Sequence, residues 1–294
     1  MPAPLPLSGV MRSAQDAIES VLGVRPVRVS ALAGGCVAAV VRADLPDGAT
    51  VVAKLDPDRP AVLDSEAFML RYLAEHTDMP VPGVIGRRPG VLVMEFIEGS
   101  TGASGDAELH AAGLLADLHA ISADRFGFER DTVIGGLPQP NGWFDSWVEF
   151  YRVWRLLSMA QVARDAGRLP SATHTRIQRL AERLDEWLLE PAAPSLVHGD
   201  VWSGNILSAG GRVTAFLDPA VCYADAEIEL AFITLFSTFG RGFFDAYSER
   251  RPIRAGFFEA RRDLYTLYPL LVHARLFGGH YVDAVDVITR RFIG

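Results

Sequence analysis

The sequence predicts an α+β fold of two lobes: an N-terminal lobe with a five-stranded antiparallel sheet and one main helix, and a C-terminal lobe that is mostly helical. Three observations support this prediction. The first third of the chain contains short segments rich in β-branched residues, which Gly-Gly and Pro-Asp-Gly turn signals separate. After residue 99 the apolar residues recur mainly at helical spacing. The 294 residues are enough for two lobes that each have a hydrophobic core.

The order of the predicted elements follows the chain. An amphipathic helix is predicted over 10–22, because its apolar residues share one face. The five strands are predicted over 27–32, 36–43, 50–55, 82–86 and 90–99, with the main helix over 63–76. A hinge near 98–100 ("EGS") divides the chain into a nucleotide-binding lobe, 1–97, and a catalytic and substrate lobe, 98–294. In the second lobe, helices are predicted over 106–121, 143–166, 171–190, 225–238 and 254–277, and a strand-like segment with a small hairpin interrupts them over 195–218.

Composition and charge argue against several classes of protein. The chain is 49% hydrophobic and 22% charged, as ordinary globular proteins are. Its formal net charge of −8 argues against a nucleic-acid binder and against docking on an anionic membrane. No apolar run approaches the ~18 residues of a membrane span, and no export signal is recognisable, so we expect a cytoplasmic location. The two cysteines, Cys36 and Cys222, form neither a disulfide framework nor a metal-ligand pattern.

The stretch 197–205, "VHGDVWSGN", is unusually dense in polar and bulky side chains. Asp200 precedes Asn205 by the spacing of H-R-D-L-x-x-x-N, in which the aspartate accepts a substrate proton and the asparagine binds magnesium. Asp218 follows a predicted strand in "AFLDP" and matches the metal-binding aspartate of D-F-G, although proline and alanine replace the next two residues. One such aspartate alone is typical of a turn or a helix cap. The combination predicts phosphoryl transfer that uses ATP and Mg²⁺.

A second group of residues suits a nucleotide. Lys54 ends the third predicted strand in "VVAK", and Glu66 on the following helix is placed to pair with it. Taken singly, each residue is better explained as an ordinary surface side chain. The turn at Gly34 and Gly35 is predicted to fold over the phosphates, although an ordinary hairpin turn is an equal alternative. In "VMEFIEG", we expect the backbone of Glu95 and Ile97 to bond the adenine edge, with Met94 beside the ring.

These motifs resemble those of the fructosamine kinase (ketosamine-3-kinase) family, within the protein-kinase-like fold of aminoglycoside phosphotransferases and choline kinases. The resemblance extends from about Val29 to the end of the chain, and the tryptophan two residues after Asp200 is its most discriminating feature. The segments that carry it are "LVHGDVWSGN" (196–205), "LDPAVCYADAEIELAF" (217–232), "PQPNGW" (138–143), "FFDAY" (243–247) and "LYTLYPLLVHARLFGGHY" (265–281).

The resemblance implies an activity and a set of roles. Members of this family phosphorylate the 3-hydroxyl of a ketoamine, and the unstable product releases the amine, which amounts to deglycation repair. Carried over by motif, Asp200 is the base, Asn205 and Asp218 hold magnesium, and Lys54 with Glu66 grips ATP. Trp202 and His273 would line the sugar pocket, since an indole offers an apolar face to a sugar ring.

The sequence leaves alternatives open. A kinase of the same fold could act on an aminoglycoside or an amino alcohol, although such sites are usually rich in acidic residues and this loop offers Trp202 and Ser203 instead. A nucleotide-binding pseudokinase is the second alternative, which the retained motif residues disfavour. A protein kinase is disfavoured because no A-P-E segment follows Asp218. The sequence does not decide which sugar is preferred or whether the amine is free or protein-bound. It also leaves open whether the protein is a monomer or a weak homodimer and whether Cys36 is redox-active.

Overall fold

The structure is a computed structural model that describes residues 7–32 and 38–294, with side chains from residue 13 onward. The turn at Gly34 and Gly35 and the neighbouring Cys36 lie outside the described residues, and so does the start of the strand predicted from residue 36.

The first lobe contains the predicted five-stranded antiparallel sheet and its main helix. The strand order is β1-β2-β3-β5-β4, and every neighbouring pair is antiparallel. The elements are α1 (Leu7–Leu22), β1 (Arg28–Ala31), β2 (Ala39–Asp44), β3 (Thr50–Leu55), α2 (Pro60–His76), β4 (Val84–Arg88) and β5 (Val91–Glu95).

The two faces of this sheet carry two separate apolar clusters, because side chains alternate along each strand. Val51 and Ala53 of β3 pack in the cluster that includes Ile18 of α1. Val52 points the other way, toward the cluster that α2 forms with β5. Lys54 is two residues further on and therefore shares the face covered by α2.

The second lobe is mostly helical, as predicted, with three small sheets. Its elements are β6 (Ser100–Thr101), α3 (Asp106–Ala120), β7 (Thr132–Ile134), β8 (Leu137–Gln139), α4 (Trp147–Phe150), a π-helical segment (Tyr151–Leu157), α5 (Ser158–Asp165), α6 (Ser171–Ala181), a 3₁₀ turn (Leu184–Glu186), β9 (Ser195–Val197), a 3₁₀ turn (Ser203–Asn205), β10 (Ile206–Ala209), β11 (Arg212–Phe216), β12 (Cys222–Ala224), α7 (Glu227–Leu235), α8 (Arg241–Arg250), a π-helical segment (Phe257–Arg261), α9 (Arg262–Phe277) and α10 (His280–Ile293).

Several predicted boundaries were wrong. The helix predicted from 143 begins at Trp147, because Ser146 caps it by accepting a hydrogen bond from the Glu149 N–H at 3.2 Å. The helix predicted to reach 190 ends at Ala181. The helix predicted over 254–277 starts with a π-helical segment, α7 is shorter than predicted at both ends, and α8, α10 and the hairpin β7–β8 were not predicted.

The predicted hairpin near residue 210 is confirmed: β10 and β11 pair around a Gly-Gly turn. Strand β6 adds to its other edge, with Leu207 opposite Thr101, so the chain joins the second lobe immediately after it leaves the sheet of the first. Strand β9 pairs with β12, which places the loop after β9 beside the loop before β12. In the described part of the chain, no helix has the length and apolar content needed to cross a bilayer.

Candidate active site

Lys54 lies at the centre of a buried ion-pair group. Its Nζ is 2.6 Å from Oε1 of Glu66, and it also contacts the carboxylate of Asp218. Burial alone would lower the pKa of Lys54, but the carboxylates of Asp218 and Glu66 outweigh it and raise the pKa above its usual value. Lys54 is therefore a fixed positive charge, joined to α2 on one side and to the loop after β11 on the other.

Asp200 and Asn205 face each other across the loop that follows β9. The Asn205 side-chain amide donates to Oδ2 of Asp200 at 2.9 Å and to its backbone carbonyl at 3.1 Å. Burial raises the pKa of Asp200 to about 8, and the nearby carboxylate of Asp218 adds to the effect. The five-residue spacing thus brings the two side chains into direct contact, because the 3₁₀ turn over Ser203–Asn205 folds the loop back.

Asp218 has an unusual backbone conformation. Its φ is 55°, in the left-handed region that few residues other than glycine adopt, although aspartate tolerates it. Two backbone hydrogen bonds hold the segment: Leu217 N–H donates to Asn205 O at 2.8 Å, and Ala220 N–H donates to His198 O at 2.7 Å. The structure therefore locks the second predicted metal ligand onto the loop that carries the first.

The close contact between these loops explains why glycine occupies position 199, where the protein-kinase pattern has arginine. Gly199 has a φ of 87°, and a β-carbon built there would lie less than 3.0 Å from the carbonyl group of Ala220. Any larger residue would separate the loop of Asp200 from the segment of Asp218.

Glu229 of α7 binds the backbone of the loop that carries Asp200, and the sequence did not predict this. Its carboxylate accepts hydrogen bonds from the backbone N–H groups of His198 (3.1 Å) and Gly199 (2.6 Å) and bonds Nε2 of His119 at 2.9 Å. Burial alone would raise the pKa of Glu229, but the bonds from His119 and the loop outweigh it and lower the pKa. An acidic residue within the apolar run "EIELAF" was the available signal.

Trp202 and His273 line the same cavity as Lys54, Asp200 and Asp218. Trp202 is 37% exposed. The His273 ring packs against Phe236 with 5.0 Å between ring centroids, and its Nδ1 bonds Pro269 O at 2.8 Å. Burial lowers the pKa of His273, so the ring is neutral at pH 7.

Two parts of the cavity wall were missed by the sequence prediction. The tip of the β7–β8 hairpin, with Gly135 and Gly136, forms one part, and Leu276 and Phe277 at the end of α9 form another. A β-carbon on Gly135 would lie 3.0 Å from Leu276, so the two parts touch. The Gly-Gly pair in "VIGGLPQ" is a hairpin signal that could have revealed the first part.

The residues predicted to contact adenine lie outside the lining of this cavity. Met94 is buried in the apolar cluster between α2 and the sheet. The backbone N–H of Glu95 donates to Gly83 O at 2.9 Å, and its carboxylate accepts from Gly83 N–H at 3.1 Å. Neither these two residues nor Ile97 line the cavity that the described residues enclose. Their contact with adenine stays a prediction.

The oxygen atoms available for a metal come from few side chains. Among residues 13–32 and 38–294, no group of three or more histidine, cysteine, aspartate or glutamate side chains is arranged to hold a metal ion. Asp218 is half-exposed, and Asn205 presents a carboxamide oxygen. Carboxylate and amide oxygens are ligands that Mg²⁺ accepts, with substrate phosphates and water completing its octahedron. The donor set therefore fits a nucleotide-bound magnesium ion.

The two-lobed fold and this site define a phosphotransferase with a kinase-like fold. The chain belongs to the fructosamine kinase family, whose model matches residues 11–293. Family membership implies ATP as the phosphate donor.

Named relatives cover most of the chain. A chloroplastic protein-ribulosamine 3-kinase of Arabidopsis thaliana is 33% identical over 272 residues, which are 89% of this chain and 81% of that protein. A structure described as a candidate fructosamine-3-kinase from Thermobifida fusca matches with a TM-score of 0.83 and 30% identity, over 95% of this chain and 99% of that one. An aminoglycoside phosphotransferase, with a TM-score of 0.68 and 18% identity over 96% and 99% of the two chains, shares the fold.

Proposed function

We propose that the protein transfers the γ-phosphate of Mg²⁺-ATP to the 3-hydroxyl of a ketosamine. One observation carries this proposal: Asp200, Asn205, Asp218 and Lys54 converge on a single cavity whose remaining lining is mostly apolar and aromatic. The names of the relatives, which include ribulosamine 3-kinases, agree with this choice of acceptor.

Lys54, Asn205 and Asp218 form the proposed nucleotide side of the site. Lys54, oriented by Glu66, would bind the α- and β-phosphates. Asn205 and Asp218 would supply oxygen ligands to Mg²⁺. When bound, the metal neutralises charge on the β- and γ-phosphates. Lys54 also pairs with Asp218. Its ammonium group would therefore hold the phosphates and the metal-binding carboxylate in a fixed relative position.

Asp200 is the proposed base on the acceptor side. In its ionised form, the Asp200 carboxylate, oriented by the Asn205 amide, would accept the proton of the 3-hydroxyl while the oxygen bonds to the γ-phosphorus. The bond between the γ-phosphorus and the β-γ bridging oxygen breaks in the same step, and ADP leaves. Trp202 would present an apolar face to the sugar, and neutral His273 would offer a ring nitrogen for a hydroxyl group. The phosphorylated ketoamine would then break down and release the free amine, which is the deglycation step.

The charge of the cavity favours a ketosamine over a polycationic aminoglycoside. Glu66, Asp200 and Asp218 are the three carboxylates among its described lining residues. Glu66 and Asp218 pair with Lys54, and Asp200 accepts a hydrogen bond from Asn205. Polycationic acceptors need further acidic partners, which this lining does not provide.

We also propose that the two lobes divide near residue 98. The sheet of the first lobe ends at Glu95, and Ser100–Thr101 already pair with β10. The nucleotide would lie between lobe 1–97 and lobe 98–294, with the residues between them as the connection.

A substrate panel tests the function. The purified protein, Mg²⁺-ATP and a set of fructosamines, ribulosamines, erythrulosamines, aminoglycosides and amino alcohols are assayed for ADP release and for the phosphorylated product. We expect turnover with at least one ketosamine, phosphorylation at O3, and loss of turnover in Asp200→Asn with ATP binding retained. Turnover with aminoglycosides alone would contradict the proposed acceptor, and near-normal activity of Asp200→Asn would contradict the proposed base.

A further inference from the structure

Gln139, at the end of β8, uses its whole side-chain amide in three buried hydrogen bonds. Its Nε2 donates to Thr132 Oγ1 at 2.9 Å and to Ala220 O at 3.0 Å. Its Oε1 accepts from the Tyr268 hydroxyl at 2.7 Å. The side chain is 2% exposed. Because Ala220 O accepts but never donates, the amide nitrogen must face it, which fixes the orientation of the amide.

The three partners of Gln139 lie behind three different walls of the cavity. Thr132 begins the hairpin whose tip lines the cavity. Ala220 follows Asp218 by two residues. Tyr268 precedes Pro269 on α9, and Pro269 and His273 line the cavity as well. One amide therefore joins the hairpin, the Asp218 segment and α9.

A second row of hydrogen bonds supports the first. Asn141 donates to Thr132 Oγ1 at 2.7 Å, and its Oδ1 accepts from Arg155 at 2.5 Å. Arg155 is buried, donates to Pro140 O at 2.7 Å, and lies over the Phe150 ring at 4.5 Å. Burying these polar groups is unfavourable unless each is bonded, so the network as a whole orders the residues around Gln139.

The left-handed backbone of Asp218 needs such support. Aspartate adopts this region more readily than most residues, but the conformation persists only where its surroundings impose it. The peptide groups that flank Ala220 are held on both sides: Ala220 N–H bonds His198 O, and Ala220 O accepts from Gln139. The first bond ties the segment to the loop of Asp200, and the second ties it to the hairpin.

We infer that Gln139 is a positioning residue that holds Asp218 in its metal-binding conformation and couples that conformation to the hairpin wall of the acceptor site. This inference rests on the proposed role of Asp218 as a metal ligand. A displacement of the hairpin moves Ala220 through Gln139, so occupancy of the acceptor site and the geometry of the metal ligand change together.

The test measures ADP binding by calorimetry with and without Mg²⁺, together with kcat for the ketosamine, in wild type and in Gln139→Leu. Leucine is close to glutamine in size but removes all three hydrogen bonds, including the one that Ala220 O accepts. We expect the Mg²⁺-dependent gain in ADP affinity to fall about tenfold, the change that loss of one buried hydrogen bond produces, and kcat to fall with it. Affinity for ADP without metal is expected to stay within about threefold of wild type, because Glu66 still holds Lys54.

Two control variants separate positioning from general destabilisation. Tyr268→Phe removes one bond of Gln139 but leaves the bond to Ala220, so the Mg²⁺-dependent gain is expected to stay within about threefold of wild type, less than a lost buried hydrogen bond produces. Thr289→Val removes a buried hydroxyl of α10 that bonds Asp286 O at 3.0 Å, and it should leave ADP binding and kcat unchanged. A folded Gln139→Leu with a normal Mg²⁺-dependent gain and a normal kcat overturns the inference.

A second measurement needs no variant, in case Gln139→Leu does not fold. In wild type, Mg²⁺-ADP is expected to slow amide hydrogen exchange in the hairpin 132–139 as well as in 217–220, whereas metal-free ADP slows it in neither. Protection of 217–220 without the hairpin overturns the coupling. Neither this measurement nor the ADP titration uses a ketosamine. A protein that phosphorylates no ketosamine but shows these effects therefore contradicts the proposed acceptor and leaves the inference about Gln139 standing. A wild type without Mg²⁺-dependent ADP binding contradicts the metal site itself.

Discussion

The indole of Trp202 lies directly over the backbone of Gly204. A β-carbon built at Gly204 would be less than 3.0 Å from three atoms of the indole ring. The ring also contacts Phe236, with 6.1 Å between centroids. The glycine in "WSGN" is therefore required by the position of the indole, because only a residue without a side chain lets the ring lie this close.

Replacing Gly204 with alanine should displace the indole. We expect the KM for the ketosamine to rise about fivefold, since contact with one aromatic face contributes on the order of 1 kcal/mol, while the KM for ATP stays unchanged. Steady-state kinetics with each substrate varied in turn measure this. Gly113→Ala is the matched control, because its β-carbon would meet its nearest atom at an ordinary 3.5 Å. An unchanged ketosamine KM in Gly204→Ala would remove Trp202 from acceptor binding.

Of the 28 lysine and arginine residues in the sequence, Lys54 is the only lysine. Lys54→Met should reduce kcat by about 100-fold or more, because it removes the fixed charge on the phosphates. Steady-state kinetics measure kcat, and calorimetry measures whether the affinity for Mg²⁺-ATP falls as well. A Lys54→Met variant with normal kcat and normal affinity for ATP would contradict the assignment of Lys54 to ATP.

Glu229→Gln should destabilise the protein and lower kcat. One carboxylate oxygen becomes an N–H donor, which would then face a backbone or imidazole donor. We expect a loss of about 2–4 kcal/mol in the free energy of unfolding, because a buried group loses its hydrogen-bond partner. Denaturant titration and kcat measure the two effects. Glu249→Gln, an exposed substitution on α8, should change neither. A stable Glu229→Gln with normal kcat would show that the loop holds without this carboxylate.

Glu227 should contribute stability that is lost in acid. Burial alone would raise its pKa, but hydrogen bonds from Arg261 (Nε at 2.6 Å) and Arg254 outweigh it and lower the pKa. A lowered carboxyl pKa stabilises the folded state above the unfolded value of ~4.3, and this contribution disappears as the pH falls through the folded-state pKa. We therefore expect Glu227→Gln to cost about 3 kcal/mol at pH 7 and progressively less toward pH 3. Thermal unfolding across this range measures it, and a constant difference would contradict the prediction.

The order of elements in the first lobe was predictable because local patterns specify it. Alternation along β3 places Lys54 on the face that α2 covers, and one helix following that strand supplies Glu66. Spacing also brought Asp200 and Asn205 together, because a turn of three residues folds the loop back on itself. In the second lobe, by contrast, π-helical segments over Tyr151–Leu157 and Phe257–Arg261 interrupt helices that apolar periodicity predicts as continuous.

By itself, the sequence determined the two-lobed α+β plan, the pairing of Lys54 with Glu66 and the placement of Asp200 and Asn205 on one short loop. Each depends on the period of a strand, the phase of one helix or a short spacing. Only the tertiary structure decided that Gln139 bonds Ala220, 81 residues away, and that Glu229 holds the loop of Gly199, 30 residues away. Such partners are chosen by packing: each buried polar group must find a hydrogen bond among the groups that the fold happens to bring near it.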